Sequence, residues 1–131
     1  MTVCEAITLT DGLVHNTYTR AEKLGWLQTL EGLIAREILS GRQGLEDPEP
    51  PVFSQDTPDD TVLLALAPFD RVYLHYLAAQ IHCCNGELER YNNAITLYQA
   101  AFDAFRNDCN RRYISKRRQF SLGGGPCAIR S

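Results

Sequence analysis

The sequence predicts an all-α protein, a small bundle of about four helices with one long acidic, proline-rich loop. Apolar residues recur every three or four positions through most of the chain, which is the period of an amphipathic helix. Prolines gather in one acidic stretch, residues 41–60, where they prevent a helix or a central strand. The length of 131 residues and the 44% of hydrophobic side chains suit a single domain with one modest core.

The first predicted element is a short helix over residues 2–13. Val3, Ile7 and Leu13 supply its apolar face, although threonines and a glycine weaken the pattern. We expect this helix to end by Asn16.

A longer helix is predicted over residues 19–40. Thr19 and Glu22 have the spacing of a capping box, in which each side chain accepts a hydrogen bond from the other residue's backbone. Gly41 is placed to end the helix. The apolar positions that form its core face are Leu24, Leu27, Leu30 (or Glu31), Ile34 and Ile38.

Residues 41–60 form the predicted loop, because they hold four of the six prolines and six acidic residues. The following residues 61–66 are too short a run to distinguish a strand or hairpin arm from a turn of helix. A third helix is predicted over residues 70–84, and its apolar residues fall on nearly every side, which is typical of a buried central helix. Asn85 and Gly86 then break the helix.

The last helix carries a long apolar and aromatic seam. Its members are spaced alternately three and four apart, as at the contact positions of an antiparallel helix pair: Leu88, Tyr91, Ile95, Tyr98, Phe102, Phe105 and Cys109. We interpret this seam as core, not as a platform for a cofactor or for nucleic-acid bases.

Four residues are candidates for an interface. Trp26 and Leu33 lie partly off the core face of the second helix, and we expect them to contact a neighbouring helix or a neighbouring subunit. Asn92 and Asn93 lie beside the seam of the last helix. They are either solvated or capping residues, or they hydrogen-bond across a helix pair, where each net bond contributes about 1 kcal/mol.

The charges divide the chain into an acidic body and a basic end. Residues 1–105 hold fifteen of the sixteen acidic residues, whereas residues 106–131 hold seven of the thirteen basic residues and one acidic residue. We assign residues 1–115 to the helical domain and residues 116–131 to a basic tail that is disordered without a partner. The candidates for binding a polyanion or partner are Arg111, Arg112, Lys116, Arg117 and Arg118. The alternative is that these groups only solubilise a helix end and complement its dipole.

No catalytic, cofactor or metal site is expected. His75 and His82 lie seven positions apart, too far for the pair of a zinc-binding helix. A zinc site of His82, Cys83 and Cys84 competes with a simpler interpretation, in which the two cysteines are small core residues. The phosphate-loop, dinucleotide and nucleophile-elbow glycine motifs do not occur, and no carboxylate pair has an apolar pocket around it. We therefore expect a protein that is not an enzyme.

The cysteines and the hydropathy indicate a compartment. There are five cysteines, an odd count without a C-x-x-C pair, which favours a reducing environment. No window approaches the roughly 18 consecutive apolar residues of a membrane span, and no export signal is visible at the start. We expect the protein to be made and kept in the cytosol.

Two stretches resemble a known family. They are "NTYTRAEKLGWLQTLEGLIAREI", residues 16–38, and "DTPDDTVLLALAPFDRVYLHYLAAQIHCCNGELERYNNAITLYQAAFDAF", residues 56–105. Over about residues 3–115 the chain resembles small head-tail connector, or neck adaptor, proteins of tailed phages and prophages of Gram-positive gut bacteria. The resemblance rests on the "NTYT…K…WL" start, the "APFD…Y…YL.AQI" helix and the "E..RYNN" run. Many family members continue with an "NRTH.PK"-like ending, whereas this chain departs from it after Asn110.

The resemblance implies a connector-like fold and a non-enzymatic structural role. The subunit would assemble as a homo-oligomeric ring between the portal and tail-side proteins, with DNA passing through it and no membrane involved. It would be found in the cytoplasm of the bacterial host during assembly and then in the virion. The alternative is a small DNA-packaging or regulatory protein that binds nucleic acid through its basic C-terminal tail.

Overall fold

The computed structural model describes residues 1–113, which form four α-helices joined by short turns and one long irregular segment. The helices are α1 (Val3–Leu13), α2 (Arg20–Leu33), α3 (Arg71–Cys84) and α4 (Leu88–Arg112), and α2 continues as one π-helical segment, Ile34–Leu39. The described residues contain no strand, only isolated β-bridge residues at Thr2, Arg42 and Val62, so the all-α prediction is confirmed. The predicted basic tail, residues 116–131, lies outside the described residues.

Helix α1 begins at a capping box that the sequence analysis missed. The hydroxyl of Thr2 accepts the Glu5 amide, and the Glu5 carboxylate accepts the Thr2 amide, both at 3.2 Å. The predicted apolar face is wrong in part, because Leu13 is 70% exposed. The buried stripe is instead Val3, Ala6 and Thr10. Thr10 can be buried because its hydroxyl donates to the Ala6 carbonyl at 2.7 Å.

Helix α2 and the π-helical segment together match the predicted helix over residues 19–40. The Thr19 and Glu22 capping box is present. Ser40 caps the end, and Gly41 follows with φ of +71°, a left-handed conformation that glycine adopts without steric cost. The predicted core residues Leu24, Leu27, Leu30, Ile34 and Ile38 are all buried.

Helices α3 and α4 form an antiparallel pair. The ring of Tyr76 packs on Tyr98 with centroids 5.1 Å apart, while Phe69, seven residues earlier, stacks on Phe105, seven residues later, at 5.6 Å. Gly86, with φ of +75°, makes the tight turn between the helices. Helix α3 is buried on several sides, as predicted for the central helix.

The predicted seam of α4 is core at one end only. Phe102, Phe105 and Cys109 are buried, whereas Tyr98 is half-buried and Leu88 is 70% exposed. Helix α3 lies beside the first part of α4, as the turn at Gly86 and the packing of Tyr76 on Tyr98 indicate, and contact with α3 alone leaves Leu88 exposed. Helix α4 also contacts the π-helical segment, and Phe105 in its second half stacks on Phe69.

The prediction that Cys83 and Cys84 are core residues is wrong. Both thiols are exposed at the last turn of α3, whereas Cys109 is buried and Cys4 is exposed. The buried stripe of α3 ends at Ile81, because the following turn lies at the edge of the bundle.

The irregular residues 40–70 are anchored along α2. The amide of Phe53 donates to the side chain of Gln28 at 2.8 Å, and the guanidinium of Arg20 donates to the Asp59 carboxylate at 2.8 Å. These contacts tie parts of the segment to the helix surface. A further anchor, through a buried carboxylate, is described below.

Residues 61–66 do not form a strand. A single antiparallel bridge joins Val62 to Thr2, and the amide of Leu63 donates to the Met1 carbonyl at 3.0 Å. The segment therefore pairs briefly with the start of the chain and then turns toward α3.

No helix in residues 1–113 is long and apolar enough to cross a membrane.

Candidate functional site

The outer side of α4 is an exposed helical surface without charge. No charged side chain occurs between Tyr91 and Phe102, a stretch of about 18 Å along a helix axis. We define the α4 face by its exposed residues Asn92, Asn93, Thr96, Leu97 and Ala100. Leu97 is 53% exposed. Interface cores are depleted in charged residues, so this surface has the composition of a contact surface.

A second exposed apolar surface lies on α1. Leu9 and Leu13 are four residues apart, so they share one side of the helix, and both are exposed. We call this pair the α1 face. Helices α1 and α4 both pack on α3 and not on each other. The α1 face and the α4 face are therefore two separate surfaces of one subunit.

The four predicted interface residues fall into two groups. Asn92 and Asn93 are exposed members of the α4 face. Trp26 and Leu33 are half-buried and pack against the core from α2. The Trp26 ring meets the Tyr18 ring edge-on, with centroids 5.6 Å apart. Their predicted role between subunits stays a prediction.

An apolar groove of about 320 Å³ lies beside the C-terminal end of α4. The apolar residues that line it are Leu39, Leu45, Leu64, Leu66, Phe69 and Phe105. Glu46 and Asp108 contribute acidic groups, Arg112 contributes a basic group that pairs with Asp108, and Cys109 and Tyr113 also line the α4 side. Burial raises the pKa of the Cys109 thiol, so this residue contributes an uncharged, weakly polar surface.

The described basic candidates already have partners. Arg111 and Arg112 are exposed, and their guanidinium nitrogens lie 3.3 Å and 3.0 Å from oxygens of Asp108. Asp108 therefore offsets part of the positive charge at this helix end. The other candidates, Lys116, Arg117 and Arg118, lie outside the described residues.

A buried carboxylate anchors residues 64 and 65 to the helices. Glu31 on α2 is 1% exposed. One of its oxygens accepts the hydroxyl of Tyr73, and the other accepts the amide of Leu64 at 2.9 Å. The Tyr73 oxygen in turn accepts the amide of Ala65 at 2.8 Å. This network positions Leu64, which forms one wall of the groove.

The Glu31 network predicts a pH-dependent stability. Burial raises the pKa of Glu31, and the hydrogen bonds from Tyr73 and Leu64 only partly oppose this. A glutamate in the unfolded chain titrates near about 4.3. Between that value and the raised pKa, the folded protein holds a proton that the unfolded chain has lost. The contribution to stability is therefore full at low pH and is lost as the pH rises through this window.

We expect the Glu31→Gln variant to lack this dependence. The free energy of unfolding of the wild type minus that of the variant should fall as the pH rises from about 4 to 7, by at most about 1.4 kcal/mol per pH unit. Urea unfolding followed by the fluorescence of Trp26, the single tryptophan, measures both proteins. Asp11 contributes a stability of the opposite pH dependence, because its contacts with Lys23 and Asn16 lower its pKa against the effect of burial. Both proteins contain Asp11, so its contribution cancels in the difference. A difference that is constant or rises with pH would contradict this assignment.

The histidines and cysteines do not assemble into a metal-binding group within residues 1–113. His82 Nδ1 lies 2.9 Å from a carboxylate oxygen of Glu87. This contact joins the end of α3 to the residue before α4, where it stabilises the turn.

A scan against protein-family models, a search of curated proteins and a search of solved structures each found no match to this chain.

Proposed function

We propose that this chain is a subunit of the head-tail connector of a tailed phage, which assembles as a ring between the portal and the tail. The observation that carries the proposal is the pair of exposed apolar surfaces, the α1 face and the α4 face, on helices that do not contact each other. The sequence resemblance described above supplies the biological setting. In this role the protein acts by contact alone and needs no catalytic group.

The two faces favour a head-to-tail arrangement of subunits. An interface with two-fold symmetry uses one surface twice, whereas a head-to-tail interface joins two different surfaces of neighbouring copies and closes into a ring when the rotation permits. The α4 face offers an uncharged helix side with the short side chains of Thr96 and Ala100 around Leu97. The side chains of Leu9 and Leu13 on the next copy would pack against it.

The test is the mass of the protein in solution, alone and mixed with the portal protein of the same phage. We expect light scattering to detect an assembly of several copies, or a stable complex with the portal protein. Raising the protein concentration should increase the assembled fraction, because association depends on mass action. A chain that remains monomeric in both samples would contradict the connector proposal.

The alternative function is nucleic-acid binding through the basic end of the chain. The exposure of Arg111 and Arg112 favours it, while their ion pairs with Asp108 count against it. Replacing Lys116, Arg117 and Arg118 by glutamine in the full chain separates the two proposals. A DNA affinity that falls with salt and is lost in this variant would support the alternative. An unchanged assembly mass of the variant would show that ring assembly does not depend on the tail.

A further inference from the structure

The groove beside α4 has an apolar floor that residues 1–113 leave partly open to solvent. Leu66 on its edge is 59% exposed, and the adjoining Leu64 and Phe69 are only partly buried. The Glu31 network binds the backbone amides of residues 64 and 65, so the wall at Leu64 is tied to α2 and α3. A fixed, concave apolar surface is suited to hold an apolar side chain.

The chain itself leads into this groove. Helix α4 ends at Arg112, and Tyr113, which lines the groove, has the extended backbone angles φ −127° and ψ 130°. The next residue is Ile114, one peptide unit farther along. The segment that follows thus starts at the groove and needs no long connection to reach it.

One edge of the groove is acidic and the following segment is basic, whereas on the α4 side Asp108 is paired with Arg111 and Arg112. Glu46 lines the groove, and Asp47 and Glu49 stand beside it in the sequence. Residues 114–122 read "ISKRRQFSL", which contains three consecutive basic residues between the apolar Ile114 and Phe120. An apolar floor with an acidic edge matches a segment of this composition.

We propose that residues 114–122 of the same chain dock in this groove, with Ile114 and Phe120 on the apolar floor and Lys116, Arg117 and Arg118 toward the acidic edge. The same chain is favoured over a second copy because a short tether raises the effective concentration of the segment to the millimolar range. The docked segment would cover Leu66 and hold the acidic turn at residues 45–48 against α4. The proposal does not depend on ring assembly.

Photo-crosslinking in the full-length protein tests the proposal. Phe120 is replaced by p-benzoylphenylalanine, an equal mixture of ¹⁵N-labelled and unlabelled protein is illuminated, and the crosslinked peptides are identified by mass spectrometry. We expect crosslinks to peptides that contain residues 39–48 or 64–69, with both halves of each crosslink from the same isotopic population. Crosslinks of mixed isotopic composition would show that the segment occupies another copy's groove, and crosslinks elsewhere or none would also overturn the proposal.

A matched pair of substitutions locates the docking surface. In the crosslinking protein, Leu66→Asn should reduce the yield at the groove at least about tenfold, because it replaces an apolar side chain at the edge of the groove by a polar amide without adding charge. Val62→Asn is the control, since Val62 is 63% exposed in the same segment but does not line the groove. Both side chains are exposed, so the fold should tolerate either change, and circular dichroism checks this. Equal loss in both variants, or loss in neither, would overturn the assignment of the site.

Discussion

The Tyr73→Phe variant should be less stable than the wild type by about 2–4 kcal/mol. The substitution keeps the ring and removes one oxygen that has two buried partners. That oxygen donates to Glu31 and accepts the amide of Ala65. Its loss leaves a buried carboxylate with one hydrogen bond fewer and a buried amide without its acceptor, and each such group costs about 1–3 kcal/mol. Urea unfolding followed by Trp26 fluorescence gives the free energy.

The Tyr76→Phe variant is the matched control. Tyr76 lies on the same helix, is half-buried, and its hydroxyl has no hydrogen bond to another of the described residues. We expect a change of no more than about 0.5 kcal/mol. An effect as large as that of Tyr73→Phe would mean that the loss reflects tyrosine hydroxyls in general and not this network.

A double-mutant cycle isolates the contact between Tyr73 and Glu31. Once Glu31→Gln has removed the charge, Tyr73→Phe should cost less, with a coupling of about 1–2 kcal/mol. Additive effects would contradict a direct interaction. Because the network also positions Leu64, the Tyr73→Phe variant should hold the groove wall less firmly.

The periodic parts of the fold could be predicted from the sequence because one physical signal determines them. The apolar spacing from Leu24 to Ile38 places five side chains on one side of α2 and the π-helical segment that continues it, and all five are buried. In α1 the spacing was ambiguous, because the large apolar residues Ile7 and Leu13 and the small residues Ala6 and Thr10 both follow Val3 at helical intervals. Burial there follows the small residues Ala6 and Thr10, which allow α1 to approach its neighbours closely.

The Glu31 network could not be predicted from helical periodicity alone. A partial signal exists, since Glu31 follows Leu27 by four positions and precedes Ile34 by three, so it shares the apolar stripe. An acid on such a stripe needs a buried partner. Its partners, Tyr73 and the amide of Leu64, are 42 and 33 residues away, and no local pattern encodes contacts over such separations.

The candidate surfaces were predicted only in part for a similar reason. Asn92 and Asn93 are exposed, and their role at an interface stays a prediction. Leu97 and Leu13 have the same residue type as core leucines. Only the placement of α3 decides that Leu97 and Leu13 stay outside the bundle. The residue type of Cys83 and Cys84 likewise does not determine their burial, since both are exposed while Cys109 is buried.

The Leu97→Arg variant should weaken assembly by at least about 100-fold, which corresponds to roughly 2.7 kcal/mol. The charge would have to be buried without a partner in the proposed contact with the next subunit. Since Leu97 is 53% exposed in the single chain, the fold should keep its stability. The measurement is the assembled fraction by sedimentation velocity under conditions where the wild type assembles. Val52→Arg is the control, because Val52 is 83% exposed and lies on neither face.

A head-to-tail interface uses both the α1 face and the α4 face, so a charge on either face should weaken assembly. Leu13→Arg should block assembly as strongly as Leu97→Arg, because it alters the other half of the same contact. A mixture of the two variants retains one intact pair of surfaces, the α4 face of the Leu13→Arg chain and the α1 face of the Leu97→Arg chain. We therefore expect the mixture to form dimers and nothing larger. If Leu13→Arg left assembly intact, or if the mixture stayed monomeric, the two faces would not be halves of one interface.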